Sequence, residues 1–223
     1  MAKKNFVSLS EFFFNHRMVF LLIAILSMII GSPFVDELFR YGIFPDLFLT
    51  VVFIAAIYTV GQKMRHLVIS LMLALPMLLS VWTSYFYKNI PLFTIGEFFA
   101  ALFIGFTILR MIQFIFNEKE VTKDVIYAAV IVYLLMAMMW SFAYALLEYV
   151  YPDSFSYPGG PKEDIFRFLY FSFVTITTLG FGDITPLTRK ASSLVMLEAV
   201  VGQMYLVVVV AWLVGMRVSR KSK

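Results

Sequence analysis

The stretch TITTLGFGDITP, residues 175–186, carries the residue types with the most distinctive chemistry in the chain. Two glycines, Gly180 and Gly182, flank an aromatic residue, threonines precede them and Asp183 follows. Glycine reaches backbone angles that are closed to other residues, so the stretch can point successive carbonyl oxygens in one direction. Four copies around an axis would form stacked oxygen rings that replace the water shell of a dehydrated cation. Residues 178–183, named the Gly-Phe-Gly segment below, are therefore a candidate cation-binding element.

Neighbouring residues would assist such a segment. Thr178 adds a hydroxyl beside its own carbonyl, and Asp183 lies where the chain returns to water and would concentrate cations or anchor the segment by hydrogen bonds. The preceding apolar run predicts a helix over residues 164–177. Its C-terminal end would carry a partial negative charge that favours a cation. The competing interpretation of the stretch is a glycine-rich turn in an ordinary loop.

The composition of the whole chain indicates a membrane protein. Of its 223 residues, 61% are hydrophobic, and the mean hydropathy is +0.88. A soluble domain of this length cannot hide so much apolar surface, so lipid must be the solvent for much of it. The absence of cysteine excludes disulfides and thiolate metal sites. The N-terminus has no apolar stretch followed by a small-residue cleavage site, so we expect no signal peptide to be removed.

Six apolar runs are long enough to cross a bilayer core, which takes roughly 20 residues per helix. They lie at residues 18–35, 44–60, 67–86, 93–115, 125–150 and 192–216. Between the last two, a polar Pro/Gly-rich loop precedes an aromatic run that is too short to span. This pattern predicts a re-entrant helix and an irregular segment, which is tolerated at membrane depth only where protein or a water-filled cavity covers it. The expected fold class is an all-α membrane protein with six transmembrane helices and a re-entrant pore helix between helices 5 and 6.

Lysine and arginine set the expected orientation of these spans. With both termini on the cytoplasmic side, 12 of the 18 basic residues face the cytoplasm, which fits the positive-inside rule. Topology therefore explains the net charge of +4, and nucleic acid is not an expected partner. The basic tail, RVSRKSK, would anchor this topology or meet anionic membrane lipids.

The string TTLGFGD resembles the selectivity filter of potassium channels, whose usual form is Thr-Val-Gly-Tyr-Gly-Asp. The resemblance covers residues 125–218 and follows the outer helix, pore helix, filter and inner helix of small prokaryotic members. It implies a K⁺-selective channel of the plasma membrane that conducts passively, catalyses no reaction and needs no cofactor besides the permeant ion. A homotetramer is expected because the chain has one such segment and no internal repeat of it. The implied ion-binding residues are Thr178, Leu179, Gly180, Phe181 and Gly182, with K⁺ at the first four.

The same resemblance divides the chain into parts. Residues 1–17 would be a cytoplasmic N-terminus, 18–116 a four-helix transmembrane domain, 124–218 the pore domain and 219–223 a basic cytoplasmic tail. In the pore domain, Thr175 and Thr177 match pore-helix threonines of the family. Tyr170 is expected to donate a hydrogen bond to Asp183 and so to support the filter.

Some positions depart from the usual pattern of the family. Phe181 replaces the common tyrosine and lacks the hydroxyl that would hydrogen-bond behind the filter. Val174 stands where some bacterial members carry a buried glutamate. Leu179 replaces valine, a mild change because the carbonyl rather than the side chain would face the ion. The first two departures bear on the rigidity of the filter more than on its selectivity.

The last expected span contains three candidate gating or cavity positions, Glu198, Gly202 and Gln203. A glutamate at membrane depth is costly, and it would tie the inner helix to the pore helix or set cavity charge and pH response. A hydrogen-bonded structural role is the alternative. Gly202 falls where many potassium channels carry a glycine that bends during gating, and close helix packing explains it equally well. Gln203 would face the cavity below the filter or bond to a neighbouring helix.

The stimulus that would open such a pore is not encoded in an obvious motif. Leu206, Val207 and Val210 continue the pore-facing side, and such an apolar lining can gate by dewetting. Voltage sensors carry an arginine at every third position of the fourth span, whereas this span has only Arg110, interpreted as an interfacial anchor. Steep voltage gating is therefore not expected. The first four spans are interpreted as a scaffold, a lipid or ligand sensor, or a degenerate sensor domain, and a separate gating partner stays open.

Three other functions compete with a K⁺-selective channel. A weakly selective cation channel would be expected if the filter lost its second glycine or its order, and both glycines are present. A K⁺ transporter usually carries four filter-like segments in one chain and internal repeats, which this chain lacks. A membrane-embedded binding or structural subunit would leave the complete filter string unexplained.

Overall fold

The computed structural model describes residues 16–39, 43–86, 90–156 and 165–221, and these residues are nearly all helical. The helices are α1 (Arg17–Leu26), a π-helical turn (Ser27–Gly31), α2 (Ser32–Phe39), α3 (Phe44–Val60), α4 (Met64–Ser84), α5 (Ile90–Asn117), α6 (Lys123–Val150), α7 (Ile165–Ile176) and α8 (Arg189–Lys221). Two short strands, β1 (Phe155–Ser156) and β2 (Thr185–Pro186), lie on either side of α7 in sequence. The described residues confirm the expected all-α class. Most of the expected N-terminal part, the expected first residue of the pore helix and the last two residues lie outside them.

Four helices in the described part of the chain are long and apolar enough to cross a membrane. They are Met64–Ser84, Thr94–Asn117, Lys123–Val150 and Arg189–Val218. Helices also occupy the first two expected spans, but the apolar helices there, Arg17–Gly31 and Phe44–Val60, are shorter. A π-helical turn follows α1 after 10 residues, and α3 has 17 residues. The structure therefore supports four of the six expected spans by length and composition.

The chain divides into two compact units, Met1–Val68 and Ile69–Lys223. In the first unit, α1 packs against α3. Helix α1 buries Leu21 and Ile25, and α3 buries Val52 and Phe53. The apolar residues of both helices thus supply the core of this unit.

The second unit contains the Gly-Phe-Gly segment and the helices around it. Helices α5 and α6 are joined by the five residues 118–122 and pack extensively against each other. The side chain of Thr122 caps α6 by accepting a hydrogen bond from the Val125 amide at 3.3 Å. A Cβ built on Gly105 of α5 would lie 3.6 Å from the sulfur of Met139 on α6. The last helix before the expected pore domain is therefore packed on that domain within its own chain.

The two strands hold both ends of the segment around α7 together. Phe155 pairs with Pro186 and Ser156 pairs with Thr185, in antiparallel register. The amide of Leu187 also donates to the carbonyl of Ser154 at 2.8 Å. This pairing brings the chain that leaves α6 next to the chain that leaves the Gly-Phe-Gly segment.

An aromatic cluster fills the space between α6, β1 and α7. Its ring centroids are 5.2 Å apart for Tyr144 and Phe171, 5.3 Å for Tyr144 and Phe155, and 5.4 Å for Phe155 and Phe168. All four side chains are buried. Aromatic pairs at such distances add roughly 0.5–1.5 kcal/mol each beyond the burial of their area. The cluster therefore fixes α7, and with it the start of the Gly-Phe-Gly segment.

Candidate functional site

The Gly-Phe-Gly segment begins where α7 ends, and its first amides bond back to that helix. The carbonyl of Val174 accepts hydrogen bonds from the amides of Leu179, at 2.9 Å, and Gly180, at 3.2 Å. The Thr178 amide donates to the carbonyl of Thr175 at 2.9 Å. Carbonyls at a helix C-terminus lack partners inside the helix, and these bonds satisfy two of them. The position of α7 therefore sets the position of the segment.

Every second residue of the segment has a left-handed backbone. The φ angles are 60° at Thr178, 59° at Gly180 and 78° at Gly182, whereas Leu179 and Phe181 keep negative φ. In an ordinary extended strand, successive residues face opposite sides. Alternating the sign of φ rotates every second peptide plane, which is the local geometry needed to bring successive carbonyls to one side. Glycine supports this at two of the three positions, and Thr178 accepts it at a cost of roughly 1–2 kcal/mol.

The segment lies on the surface of the single chain. The side chain of Leu179 is 57% exposed and that of Phe181 is 64% exposed. A Cβ built on Gly180 or Gly182 would have no atom of this chain within 4 Å. One chain therefore leaves the segment open, and does not surround an ion with it.

The residues expected to support the segment lie close to it. Tyr170 on α7 shares a side-chain hydrogen bond with Asp183, as the sequence suggested. The Thr177 hydroxyl donates to the carbonyl of Phe173 at 2.6 Å, within its own helix. Thr175 contributes its backbone carbonyl to Thr178. The Tyr170–Asp183 bond thus links the outer end of the segment to α7.

Glu148 organises the turn that leads from α6 to β1. Its carboxylate accepts hydrogen bonds from the amides of Asp153 and Ser154, both at 2.9 Å, and of Phe155 at 3.2 Å. The turn includes Asp153 with a φ of 62°, so its backbone conformation is unfavourable for a residue other than glycine. The carboxylate compensates by satisfying three amides in or beside the core.

Replacing Glu148 by alanine should leave these three amides without a partner. A buried donor that loses its partner costs about 1–3 kcal/mol, so E148A is expected to lower the thermal unfolding midpoint of the purified protein. Circular dichroism in detergent measures that midpoint, and E118A in the α5–α6 linker is the matched control. A midpoint for E148A equal to that of E118A would contradict the role assigned to this carboxylate.

Glu198 lies on α8 and is fully buried, with 0% of its side chain exposed. One carboxyl oxygen meets the hydroxyl of Tyr144 on α6, and the other meets the hydroxyl of Ser172 on α7. The Ser172 hydroxyl also lies 2.7 Å from the carbonyl of Ala137 on α6. Three helices therefore meet at this one side chain, which fits the expected tie between the inner helix and the pore helix.

Gly202 lies one turn further along α8, where that helix approaches α7 closely. A Cβ built on Gly202 would overlap the Cγ1 atom of Ile176 and would lie 3.4 Å from the Ile176 carbonyl oxygen. The same carbonyl accepts a hydrogen bond from the Tyr133 hydroxyl at 2.9 Å. This geometry accounts for the glycine by close packing, and a bending role stays a prediction.

The remaining candidate positions of α8 are exposed in the single chain. Gln203 is exposed, and the exposed fractions of Leu206, Val207 and Val210 are 37%, 65% and 55%. On the other side of α8, the Tyr205 hydroxyl donates to the carbonyl of Ala129 at 2.7 Å. The helix is thus held to α6 on one side, and its expected pore-facing side stays open.

A comparison with protein families identifies this arrangement. A family model described as an ion channel matches residues 97–217, which is more than half of the chain. The chain belongs to this ion channel family. The match runs from the middle of α5 to the cytoplasmic end of α8 as expected from the sequence, and so includes α6, α7 and the Gly-Phe-Gly segment of the channel. Comparisons with curated proteins and with solved structures found no match.

Membership of the ion channel family places the chain among transport proteins rather than enzymes. Among the described residues, no group of three or more His, Asp or Glu side chains is arranged to hold a metal ion. The oxygen atoms available to a passing cation in this channel are therefore mainly backbone carbonyls and hydroxyls.

Two contacts bear on the helix that precedes the pore helices of the channel. Arg110 on α5 donates a hydrogen bond to Gln113 on the same helix. Further along α5, the ring of Phe116 packs edge-on against Trp212 of α8, with centroids 5.0 Å apart. This helix therefore contacts the cytoplasmic half of α8 directly.

Sequence reasoning missed two residues that the structure places beside the segment. Ser172 bonds to Glu198, and Tyr133 bonds to the last carbonyl of α7. Both lie in apolar runs where one small or aromatic residue carries no signal of its own. A helical projection of α7 would place Ser172 opposite the segment, but it would not name Glu198 as its partner.

Proposed function

We propose that this ion channel is a homotetrameric, K⁺-selective channel that conducts passively across the plasma membrane. The observation that carries the proposal is the alternating left-handed backbone at Thr178, Gly180 and Gly182, directly after the C-terminus of a short helix. Four segments of this geometry around an axis would present rings of carbonyl oxygens to a dehydrated cation. The membership of the chain in the ion channel family supports it.

In this proposal, K⁺ moves between neighbouring oxygen rings of the segment. Carbonyls of Thr178, Leu179, Gly180 and Phe181 take the place of water around the ion, and the Thr178 hydroxyl completes the innermost ring. Conduction needs binding that is strong enough for the ion to enter and weak enough for it to leave, which repulsion between ions at adjacent sites provides. Asp183, held by Tyr170, would attract cations to the outer end.

The exposed residues of α8 support assembly into a tetramer. Val200, Val207 and Val210 are 60%, 65% and 55% exposed in one chain. Neighbouring subunits, lipid or the pore cavity must cover or face these residues in the membrane. The chain also has one Gly-Phe-Gly segment and no second copy of it, so four chains supply the four segments.

The proposed topology has six spans, both termini in the cytoplasm and membrane lipids as partners. The short linker between α5 and α6, residues 118–122, and their extensive packing favour an arrangement in which α5 serves the pore helix of its own subunit. Gating would occur at the filter or at the apolar lining of Leu206, Val207 and Val210. Arg110 is bonded within its own helix, and steep voltage gating is not part of the proposal.

A weakly selective cation channel is the second candidate. The exposed Phe181 side chain carries no hydroxyl, so it cannot donate a hydrogen bond behind the segment. A segment with fewer such bonds would hold its carbonyls less rigidly and would admit Na⁺ as well.

Native mass spectrometry and an ion flux assay together test the proposal. The purified protein is expected to have the mass of four chains, and liposomes that contain it are expected to release K⁺ with proton uptake through an added protonophore. Liposomes loaded with Na⁺ are the matched control and should release little. A monomer or dimer in the native spectrum, or equal release of both ions, would contradict the proposal.

A further inference from the structure

The hydrogen atoms around Glu198 can be counted. The Ser172 hydroxyl has one hydrogen, yet it contacts two oxygens: the carbonyl of Ala137, at 2.7 Å, and a carboxyl oxygen of Glu198. A backbone carbonyl only accepts hydrogen bonds. If the hydrogen of Ser172 goes to Ala137, the contact between Ser172 and Glu198 needs a hydrogen from Glu198. Both contacts are hydrogen bonds only when the carboxyl group of Glu198 carries a proton.

The other carboxyl oxygen of Glu198 completes the set. The Tyr144 hydroxyl donates to it, and this hydrogen has no competing acceptor among the hydrogen bonds of Tyr144. The donors then run in one direction, from Tyr144 to Glu198, from Glu198 to Ser172, and from Ser172 to Ala137. Each hydrogen is used once, and the chain starts and ends on α6.

Glu148 provides the contrast within the same unit. It is also buried, with 8% of its side chain exposed, but its carboxylate faces three backbone amides. Amides only donate, so a negative carboxylate suits that position. Glu198 is completely buried with hydroxyl neighbours, and an ionised carboxylate there would lack the partners that make buried charge tolerable. The two glutamates are thus suited to opposite charge states.

We propose that Glu198 is held as a neutral carboxylic acid and is a positioning residue for the filter, acting through Ser172 on α7. The filter is reached because α7 fixes its first amides through the carbonyls of Val174 and Thr175. The effect on ion selectivity rests on the function proposed above, whereas the neutral state of Glu198 does not. Loss of the proton would remove the donor to Ser172 and place a charge between three helices.

The groups that face Glu198 define its pH response. Helix α6 contributes two tyrosines that interact with it electrostatically, Tyr144 and Tyr133. Helix α7 contributes Ser172, which does not titrate in water, and β2, which also packs on α8, contains only Thr185 and Pro186. No described cation bonds to the carboxyl group, so raising the pH should act on Glu198 before the filter is otherwise disturbed.

Infrared spectroscopy tests the neutral acid without requiring any current. The difference spectrum between wild type and E198Q in liposomes at neutral pH should contain the carbonyl stretch of a protonated carboxylic acid. In Y144F, which removes the donor to the carbonyl oxygen, that stretch should move to higher frequency. Carboxylate bands in the difference spectrum, or a stretch that Y144F leaves in place, would overturn the proposal even if E198Q assembled poorly.

Selectivity measurements in planar bilayers test the positioning role. The K⁺/Na⁺ permeability ratio of wild type should fall by about tenfold, or ~1.4 kcal/mol, as the pH is raised until the acid band disappears. In E198Q the amide can still donate to Ser172 and accept from Tyr144, so the ratio should stay high throughout. A fall that persists in E198Q would belong to the tyrosines and would overturn the role of Glu198.

The two measurements separate this inference from the proposed function. An acid band without any K⁺-selective current would leave the neutral state of Glu198 standing and would refute the filter. A K⁺-selective current without an acid band would support the filter and refute the neutral state.

Discussion

Replacing Gly180 by alanine is expected to abolish K⁺ selectivity, so that the reversal potential with K⁺ on one side and Na⁺ on the other falls to near zero. Gly180 has a φ of 59°, and a Cβ built there meets no atom of the chain within 4 Å. The effect therefore comes from the backbone, because a left-handed conformation costs a residue with a Cβ roughly 1–2 kcal/mol. Four copies in a tetramer would sum to roughly 4–8 kcal/mol.

The control for G180A is alanine at Gly215 on α8. A Cβ there also meets nothing within 4 Å, and Gly215 has no left-handed φ, so G215A should retain the wild-type reversal potential. Native mass spectrometry shows whether each variant still assembles. An assembled G180A tetramer with the selectivity of G215A would show that the segment tolerates alanine and that glycine is not what shapes it.

Replacing Gly202 by alanine is expected to push α8 away from α7 and to lower both the stability of the assembly and the selective current. The new Cβ would overlap Cγ1 of Ile176, which is itself fully buried and cannot move into open space. Overpacking of this kind costs about 1–3 kcal/mol per site. Four copies multiply it, and the site lies next to the last carbonyl of α7.

A double-mutant cycle isolates this contact. Replacing Ile176 by alanine removes the atom that the new Cβ meets, so I176A/G202A should lose less stability than the two single changes would add up to. Thermal unfolding of the purified assembly gives the four values, with G215A as the control for glycine-to-alanine change within α8. If G202A is as stable as G215A and alters only the open probability, Gly202 acts in bending and the packing account is wrong.

The sequence carried enough information to place the Gly-Phe-Gly segment because its shape is local. Left-handed backbone at Gly180 and Gly182 follows from glycine itself, and the short helix before it follows from the length of the aromatic run. The partner of Asp183 was also expected, since Tyr170 lies on the helix that leads into the segment. Local chemistry decides these features.

Contacts between distant parts of the chain were harder to predict. Ser172 meets Glu198 across 26 positions in the chain, and Tyr133 meets Ile176 across 43 positions. Such pairs depend on how α6, α7 and α8 pack, and an isolated serine or tyrosine in an apolar run does not reveal that. The pairing of β1 with β2 was missed for the same reason, since each strand has only two residues.

Span lengths show the limit of hydropathy. The run at 18–35 reads as one span, yet α1 passes into a π-helical turn at Ser27 after 10 residues. Apolar composition reports the solvent that a segment prefers, whereas helix continuity depends on backbone hydrogen bonding at each residue. The number of spans in the first half of the chain is therefore the least determined part of the predicted topology.

The reversal potential of the wild-type protein tests the central claim most directly. Purified protein is reconstituted into a planar bilayer with K⁺ on one side and Na⁺ on the other, and the current is recorded as the voltage is varied. A reversal potential close to the K⁺ equilibrium potential is expected, because the carbonyl rings replace the water shell of K⁺ and not that of Na⁺. Clear current that reverses near zero would contradict K⁺ selectivity and would establish a weakly selective cation channel instead.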